Sequence, residues 1–299
     1  DLNLVASKSK LTKSVWRSKW ITKDDSFKNL DIYHGLSNEL PFGIHKTNVR
    51  SVVTIHDLIN FRYPENYKPI DRIIYQKKLE YAAKVANIII TPSQQTKRDV
   101  VHFLKADDSK IKVIPISVGP SIPPLPSHGN TVLCISSFSK RKNLIRLIDA
   151  FLRIKDKDLK LIIAGSKGDT YNQVNELAGK YPQIELKNNL SSSKINELYS
   201  KALFCIYPSL FEGFGIPILE AFAHNKLVAT SNISSMPEVG GDVAVYFNPE
   251  SVSEITQAID KLSDSSIRKG REALIPQHLK HFDSAPLLSQ YLDIYKQLV

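Results

Sequence analysis

Cysteine, methionine and long apolar runs are all scarce in this sequence. Its 2 Cys in 299 residues cannot build a disulfide framework, and both stand inside apolar runs, LCIS around Cys134 and FCIY around Cys205. They read as buried thiols of a reducing compartment, and four soft ligands at zinc-site spacing are missing, so no metal is expected. No stretch reaches the roughly 18 to 20 apolar residues of a spanning helix, and DLNLVASKSK has no apolar signal core. A cytoplasmic location is the expectation. With 12 Gly and 16 Pro, collagen-like and low-complexity chains are excluded. Neither a G-x-S-x-G elbow nor a Walker loop occurs. Zinc-finger spacing, a helix-turn-helix signature and an aromatic RNA-binding motif are also absent, so no nucleic-acid partner is expected.

What remains is a globular composition, 42% hydrophobic and 23% charged, long enough for two domains that each bury a core. The net charge of +10 is uneven: residues 1–128 hold 20 Lys and Arg against 12 Asp and Glu. Charge by itself favours an anionic partner for that half and does not choose among a nucleic acid, an acidic membrane surface and a phosphorylated substrate.

Short β-branched runs alternate with helical stretches, the pattern of parallel sheets covered by helices. Strands are expected at 31–34, 51–55, 87–91 and 112–116, with a helix over 69–86. A second set falls at 131–136, 159–165, 184–188, 202–207, 227–231 and 244–247. Leu144, Leu147, Ile148, Phe151 and Leu152 share one face of a helix that Asn143 is expected to cap. Residues 120–130 hold four of the 16 prolines and read as a linker. The expected domains are therefore 1–119 and 131–282, with the amphipathic segment 283–299 returning to the first.

The most informative segment is YPSLFEGFGIPILEAFAHNK, 207–226. Gly213 and Gly215 flank Phe214 ahead of Pro217, which marks a helix N-terminus. Free amides there, with the positive end of the helix dipole, suit a diphosphate. Glu220, inside the helix, is then placed to accept hydrogen bonds from a ribose, and Glu212 lies near the sugar. Spacing alone leaves equal room for an exposed helix residue and a loop charge. His224, four residues after Glu220, is read as a helix-surface hydrogen bond rather than a ligand.

The run Glu212-Gly-Phe-Gly-Ile-Pro-Ile-Leu-Glu220 resembles the E-x7-E signature of the retaining nucleotide-sugar glycosyltransferases of family 4. DIYHGLSNELP at 31–41, VVTIHDLINFRYPENY at 52–67, TPSQQTKRDV at 91–100, SFSKRKNLIRLIDAF at 137–151 and SSMPEVGGDVAVYFNP at 234–249 are similar to the same family in the same order. The resemblance implies an α/β fold of two facing Rossmann-like doubly wound domains, GT-B, with a cleft between them. It implies a nucleoside-diphosphate sugar, UDP- or GDP-linked, as co-substrate, no separate cofactor or metal, and a glycan or glycolipid acceptor in polysaccharide synthesis. By that resemblance Glu220 binds the donor ribose and Glu212 lies by the transferred sugar. Phe214, Gly215 and Ile216 hold the distal phosphate, Lys142 neutralises the diphosphate, and His56 reaches the donor sugar. Where many relatives place an Arg before that Lys, this sequence has Ser136 and Ser137, leaving Arg141 as the nearest cation. The Gly-rich loop that the family carries near its N-terminus has no counterpart, so an initial segment is expected to be absent.

Two features stay open. Trp16 and Trp20, with Lys13, Arg17 and Lys19 between and around them, fit either an anionic membrane surface or a helix docked on its own sheet. His56 and His34, read without the resemblance, fit packed side chains. A non-catalytic nucleotide-sugar-binding protein is the alternative to the enzyme.

Overall fold

The computed structural model describes residues 16–119 and 129–299. Lys13 and residues 120–128 of the linker lie outside the described residues. The chain divides into two compact units, Asp1–Ile116 with Ala285–Val299, and Ser117–Ser284.

In the first unit the apolar runs form a four-stranded parallel sheet of β1 (Ile32–Gly35), β2 (Arg50–Thr54), β3 (Ile88–Thr91) and β4 (Ile111–Val113), side by side in that order. Between β2 and β3 runs α1 (Pro69–Val85), opened by a proline whose missing N–H is lost at no cost there. Between β3 and β4 runs α2 (Gln94–Leu104), capped by the Ser93 hydroxyl, which accepts the Thr96 amide. Val53, Ile55, Leu79, Ala82, Ile89 and Val100 form its core. Trp16 packs against that core, whereas Trp20 is half exposed, so the two rings do not present one common face.

The second unit is a six-stranded parallel sheet. Its strands are β5 (Thr131–Ile135), β6 (Lys160–Gly165), β7 (Ile184–Asn188), β8 (Phe204–Tyr207), β9 (Val228–Ser231) and β10 (Val245–Phe247), in the order β10-β9-β8-β5-β6-β7. The helices of eight residues or more are α3 (Leu144–Phe151), α4 (Tyr171–Ala178), α5 (Ser192–Lys201), α6 (Ile216–Ala223), α7 (Val252–Ser263) and α8 (Ser265–Glu272). The order reverses between β5 and β8, and at such a reversal the connections leave the sheet in opposite directions and open a crevice at the carboxyl ends of the two strands. Cys134 and Cys205 are buried free thiols on these two strands.

Asn143 corrects one expectation. It stands just before α3, but its side chain makes no capping bond. Its φ of 60° lies in the left-handed region, which asparagine tolerates better than most residues, and its Nδ2 donates to the carbonyls of Pro208 at 3.1 Å and Pro249 at 2.8 Å. The amide ties together the loops that follow β5, β8 and β10.

The last helix, α9 (Ser284–Leu298), lies on the first unit, where Leu287 and Ile294 pack with Val52, Ile90 and Ile114. His34 pins it: its ring bonds the Tyr295 hydroxyl at 2.6 Å and the Thr54 hydroxyl at 2.9 Å. Burial pushes His34 from 6.5 down to about 4. The unfolded chain therefore takes up this proton first, and stability falls as pH drops from about 6.5 towards 4. Between pH 7 and 5 the loss through this one ring is expected to be about 2 kcal/mol. His34→Gln should flatten that part of the melting temperature against pH profile; an unchanged slope would contradict the assignment.

Candidate functional site

The two loops that leave the sheet at its reversal hold most of the candidate residues. After β5 the chain bends along the end of β6, with the Ser136 amide on the Ala164 carbonyl at 2.8 Å and the Phe138 amide on the Ser166 carbonyl at 3.0 Å. A short turn, Lys140–Lys142, follows. After β8 the loop 208–215 comes alongside, and the Leu210 amide donates to the Arg141 carbonyl at 2.9 Å.

These contacts bring three sequence candidates together. Lys142 is only 8% exposed, and its Nζ donates to the Tyr207 hydroxyl and to Glu212 Oε1, both at 2.7 Å. Arg141 Nη1 donates to the same Oε1 and to the Phe211 carbonyl, both at 2.6 Å. Burial acting alone would raise the Glu212 carboxyl, but the charges of Lys142 and Arg141 outweigh it and hold the group ionised, below the ordinary carboxylate range. Burial lowers the Lys142 ammonium, and Glu212 works against that shift. One carboxylate between two cations leaves a net positive charge at the crevice, the sign an anionic ligand needs.

The next three candidates shape the floor. Gly215 has φ of 116°, a conformation that side chains rarely adopt, and a Cβ there would press on Ile218 Cδ1 at 3.3 Å. That bend turns the chain into α6, where Ile216 is the first residue, Pro217 brings no N–H and the Ile218 amide donates to the Gly215 carbonyl at 3.0 Å. Phe214 is buried, with its ring centroid 6.2 Å from that of Phe282, while Ile216 is half exposed at the opening. The loop is clamped from the segment after β9. Ser234 Oγ donates to the Glu212 carbonyl at 2.7 Å, and Ser235 Oγ donates to the carbonyls of Glu212 at 2.9 Å and Phe214 at 2.6 Å.

Glu220 stands on α6, partly exposed, with Oε2 accepting the Tyr199 hydroxyl at 2.8 Å. His224 meets the Glu220 main-chain carbonyl at 2.8 Å rather than its carboxylate. His56 belongs to the first unit, whereas all the other candidates belong to the second. Its amide donates to Asn38 Oδ1 at 2.8 Å and its Nε2 donates to the Leu36 carbonyl at 2.9 Å.

Sequence reasoning assigned no role to Tyr207, Ser234, Ser235 or Tyr199. Ser234 and Ser235 fall within one of the segments that carried the resemblance; a lone tyrosine carries no comparable signal. Among the described residues, no group of three or more His, Cys, Asp or Glu is placed to hold a metal ion.

Residues 120–280 match the family model of glycosyl transferases group 1, and residues 10–121 match that of glycosyltransferase family 4. The chain belongs to the group 1 glycosyltransferases. This glycosyltransferase is 29% identical over 303 residues to O-antigen chain mannosyltransferase B of Escherichia coli, covering 94% of this chain and 77% of that one. It is 29% identical over 220 residues to the O-antigen chain mannosyltransferase RfbU of Salmonella typhimurium, covering 70% of this chain and 60% of that one. In structure it resembles sucrose-phosphate synthase from Thermosynechococcus elongatus, with a TM-score of 0.78, 18% identity and coverage of 93% and 75% of the two chains. It also resembles Anabaena HepE in complex with UDP and glucose, at a TM-score of 0.73 and 16% identity over 91% of this chain and 79% of that one. The fold is that of two Rossmann-like domains, GT-B.

Proposed function

We propose that this glycosyltransferase moves a sugar from a UDP- or GDP-linked donor to a hydroxyl of a glycan or glycolipid, with retention at the anomeric carbon, in the synthesis of a cell-surface polysaccharide. The observation that carries the reading is the buried Lys142–Glu212–Arg141 cluster on the loops at the reversal of the sheet, the second of which runs into the N-terminus of α6. The names of the two O-antigen mannosyltransferases support the acceptor class and make GDP-mannose the first donor to try.

In this reading the diphosphate lies on the amides of Phe214, Gly215 and Ile216, and Glu220 takes the ribose hydroxyls. As the bond to the sugar breaks, negative charge gathers on the departing diphosphate. Lys142, Arg141 and the helix terminus are in place to meet it without reorganising. Glu212, held ionised, accepts hydrogen bonds from the sugar and balances the positive charge that develops on its ring. His56, by the family resemblance, is assigned to the donor sugar. The cationic cluster supplies the charge that a metal would otherwise bring, so chelator should leave the rate unchanged.

The test is a panel of UDP- and GDP-sugars supplied with lipid-linked or oligosaccharide acceptors. Release of nucleoside diphosphate with an α-linked product from an α-linked donor supports the enzyme. Binding of nucleotide with no release across the panel would instead support a non-catalytic binding protein.

A peripheral contact with an anionic membrane completes the proposal. Ile70, Ile73 and Ile74 form an exposed stripe on the opening turns of α1, continued by Lys77 and beside Lys68, in the half of the chain that carries most of the positive charge. Apolar side chains set among lysines suit a lipid interface. No helix among the described residues is long and apolar enough to cross a membrane. Ile74→Glu should reduce flotation with vesicles rich in phosphatidylglycerol by about tenfold while leaving nucleotide affinity unchanged. Equal flotation would remove this contact from the account.

A further inference from the structure

Glu220 is in contact with two aromatic side chains, Tyr199 and His224. Tyr199, on α5, is 1% exposed, and its hydroxyl donates to Glu220 Oε2 at 2.8 Å. Its ring stacks on that of His224, with centroids 4.8 Å apart and planes at 22°. His224 is fixed in turn, because its Nδ1 must carry the proton that it shares with the Glu220 carbonyl at 2.8 Å. The backbone of Glu220 thus orients His224, His224 supports the tyrosine ring, and the tyrosine hydroxyl returns to the carboxylate of Glu220. A closed ring of contacts thus runs through Glu220, His224 and Tyr199.

We infer that Tyr199 is a positioning residue, which holds the Glu220 carboxylate in the rotamer that receives both ribose hydroxyls and so makes the site select a nucleotide with an intact ribose. This rests on the ribose role given to Glu220 above and deepens it. A carboxylate that accepts one bond from Tyr199 keeps Oε1 and a second lone pair of Oε2 for a vicinal diol. Unheld, it has rotamers to lose on binding, and each hydroxyl bond is correspondingly weaker. Burial and the neighbouring Glu220 charge raise the Tyr199 hydroxyl well above its usual range, so it stays a donor throughout the physiological pH range.

The test compares GDP with 2′,3′-dideoxy-GDP, and UDP with its dideoxy form, by calorimetry on the full chain. Wild type is expected to prefer the ribose form, and Glu220→Ala to bind both forms alike. Equal binding of both by wild type, or a preference kept by Glu220→Ala, overturns the ribose role itself. Tyr199→Phe removes one oxygen and keeps the stacked ring. It is expected to lose about tenfold in affinity for the ribose form, the effect of one hydrogen bond to a charged group, with no loss for the dideoxy form. The same preference in Tyr199→Phe as in wild type, or an equal loss for both forms, overturns the inference while leaving the ribose role intact. Because the preference is a ratio within one protein, a partly unfolded variant shifts both ligands alike. A double variant, Tyr199→Phe with Glu220→Ala, should lose no more than Glu220→Ala alone; additive losses would also count against it.

Discussion

Lys142→Ala is expected to lower kcat by about two to three orders of magnitude, the usual effect of removing one preorganised group that meets charge in a transition state. Burial is what gives the lysine this weight. In water an ammonium does little for a departing diphosphate, but at 8% exposure, with Glu212 and the Tyr207 hydroxyl fixing its Nζ, this charge is already aimed and largely desolvated. The same burial gives the lysine a structural share. Without it Glu212 keeps only Arg141 of its two cations, so the variant should also lose about 1–3 kcal/mol of stability. Rates are best compared well below the melting temperature and beside Lys142→Met, which keeps most of the volume. Both variants should be slow; a Met variant with wild-type kcat would show that the charge is not used in the reaction.

Glu220→Ala is expected to weaken GDP and UDP by about tenfold to a hundredfold, the effect of losing about 1.5–3 kcal/mol of hydrogen bonding to a carboxylate. Inorganic pyrophosphate should bind the variant as it binds wild type, because the amides of 214–216 and Lys142 are untouched. Calorimetry with all three ligands separates the two halves of the site. Unchanged affinity for both nucleotides would remove the ribose role, and a parallel loss of pyrophosphate would point to a disturbed α6.

The limits of the sequence reading have a physical cause. Among the described residues all ten strands overlap the β-branched runs such as SVVTI and LKLIIAG that announce them, because periodicity and propensity are local properties. The glycines and Pro217 likewise announce the start of α6, which the structure opens at Ile216. What stayed illegible depends on strand order. Lys142 meets Tyr207 and Glu212, the latter 70 residues on, only because β5 lies next to β8, and no local pattern encodes that adjacency. Ser234 and Ser235 reach the carbonyls of Glu212 and Phe214 from the segment after the neighbouring strand β9, for the same reason. Asn143 misled because asparagine serves both as a cap and as a left-handed residue that frees its amide for distant carbonyls; the sequence is the same in either case.

Backbone amide NMR during titration with GDP and UDP tests the central claim most directly. The amides of Phe214, Gly215 and Ile216 should shift strongly and saturate together with that of Lys142, at the same ligand concentration. Saturating binding that leaves those four amides unmoved would contradict the account.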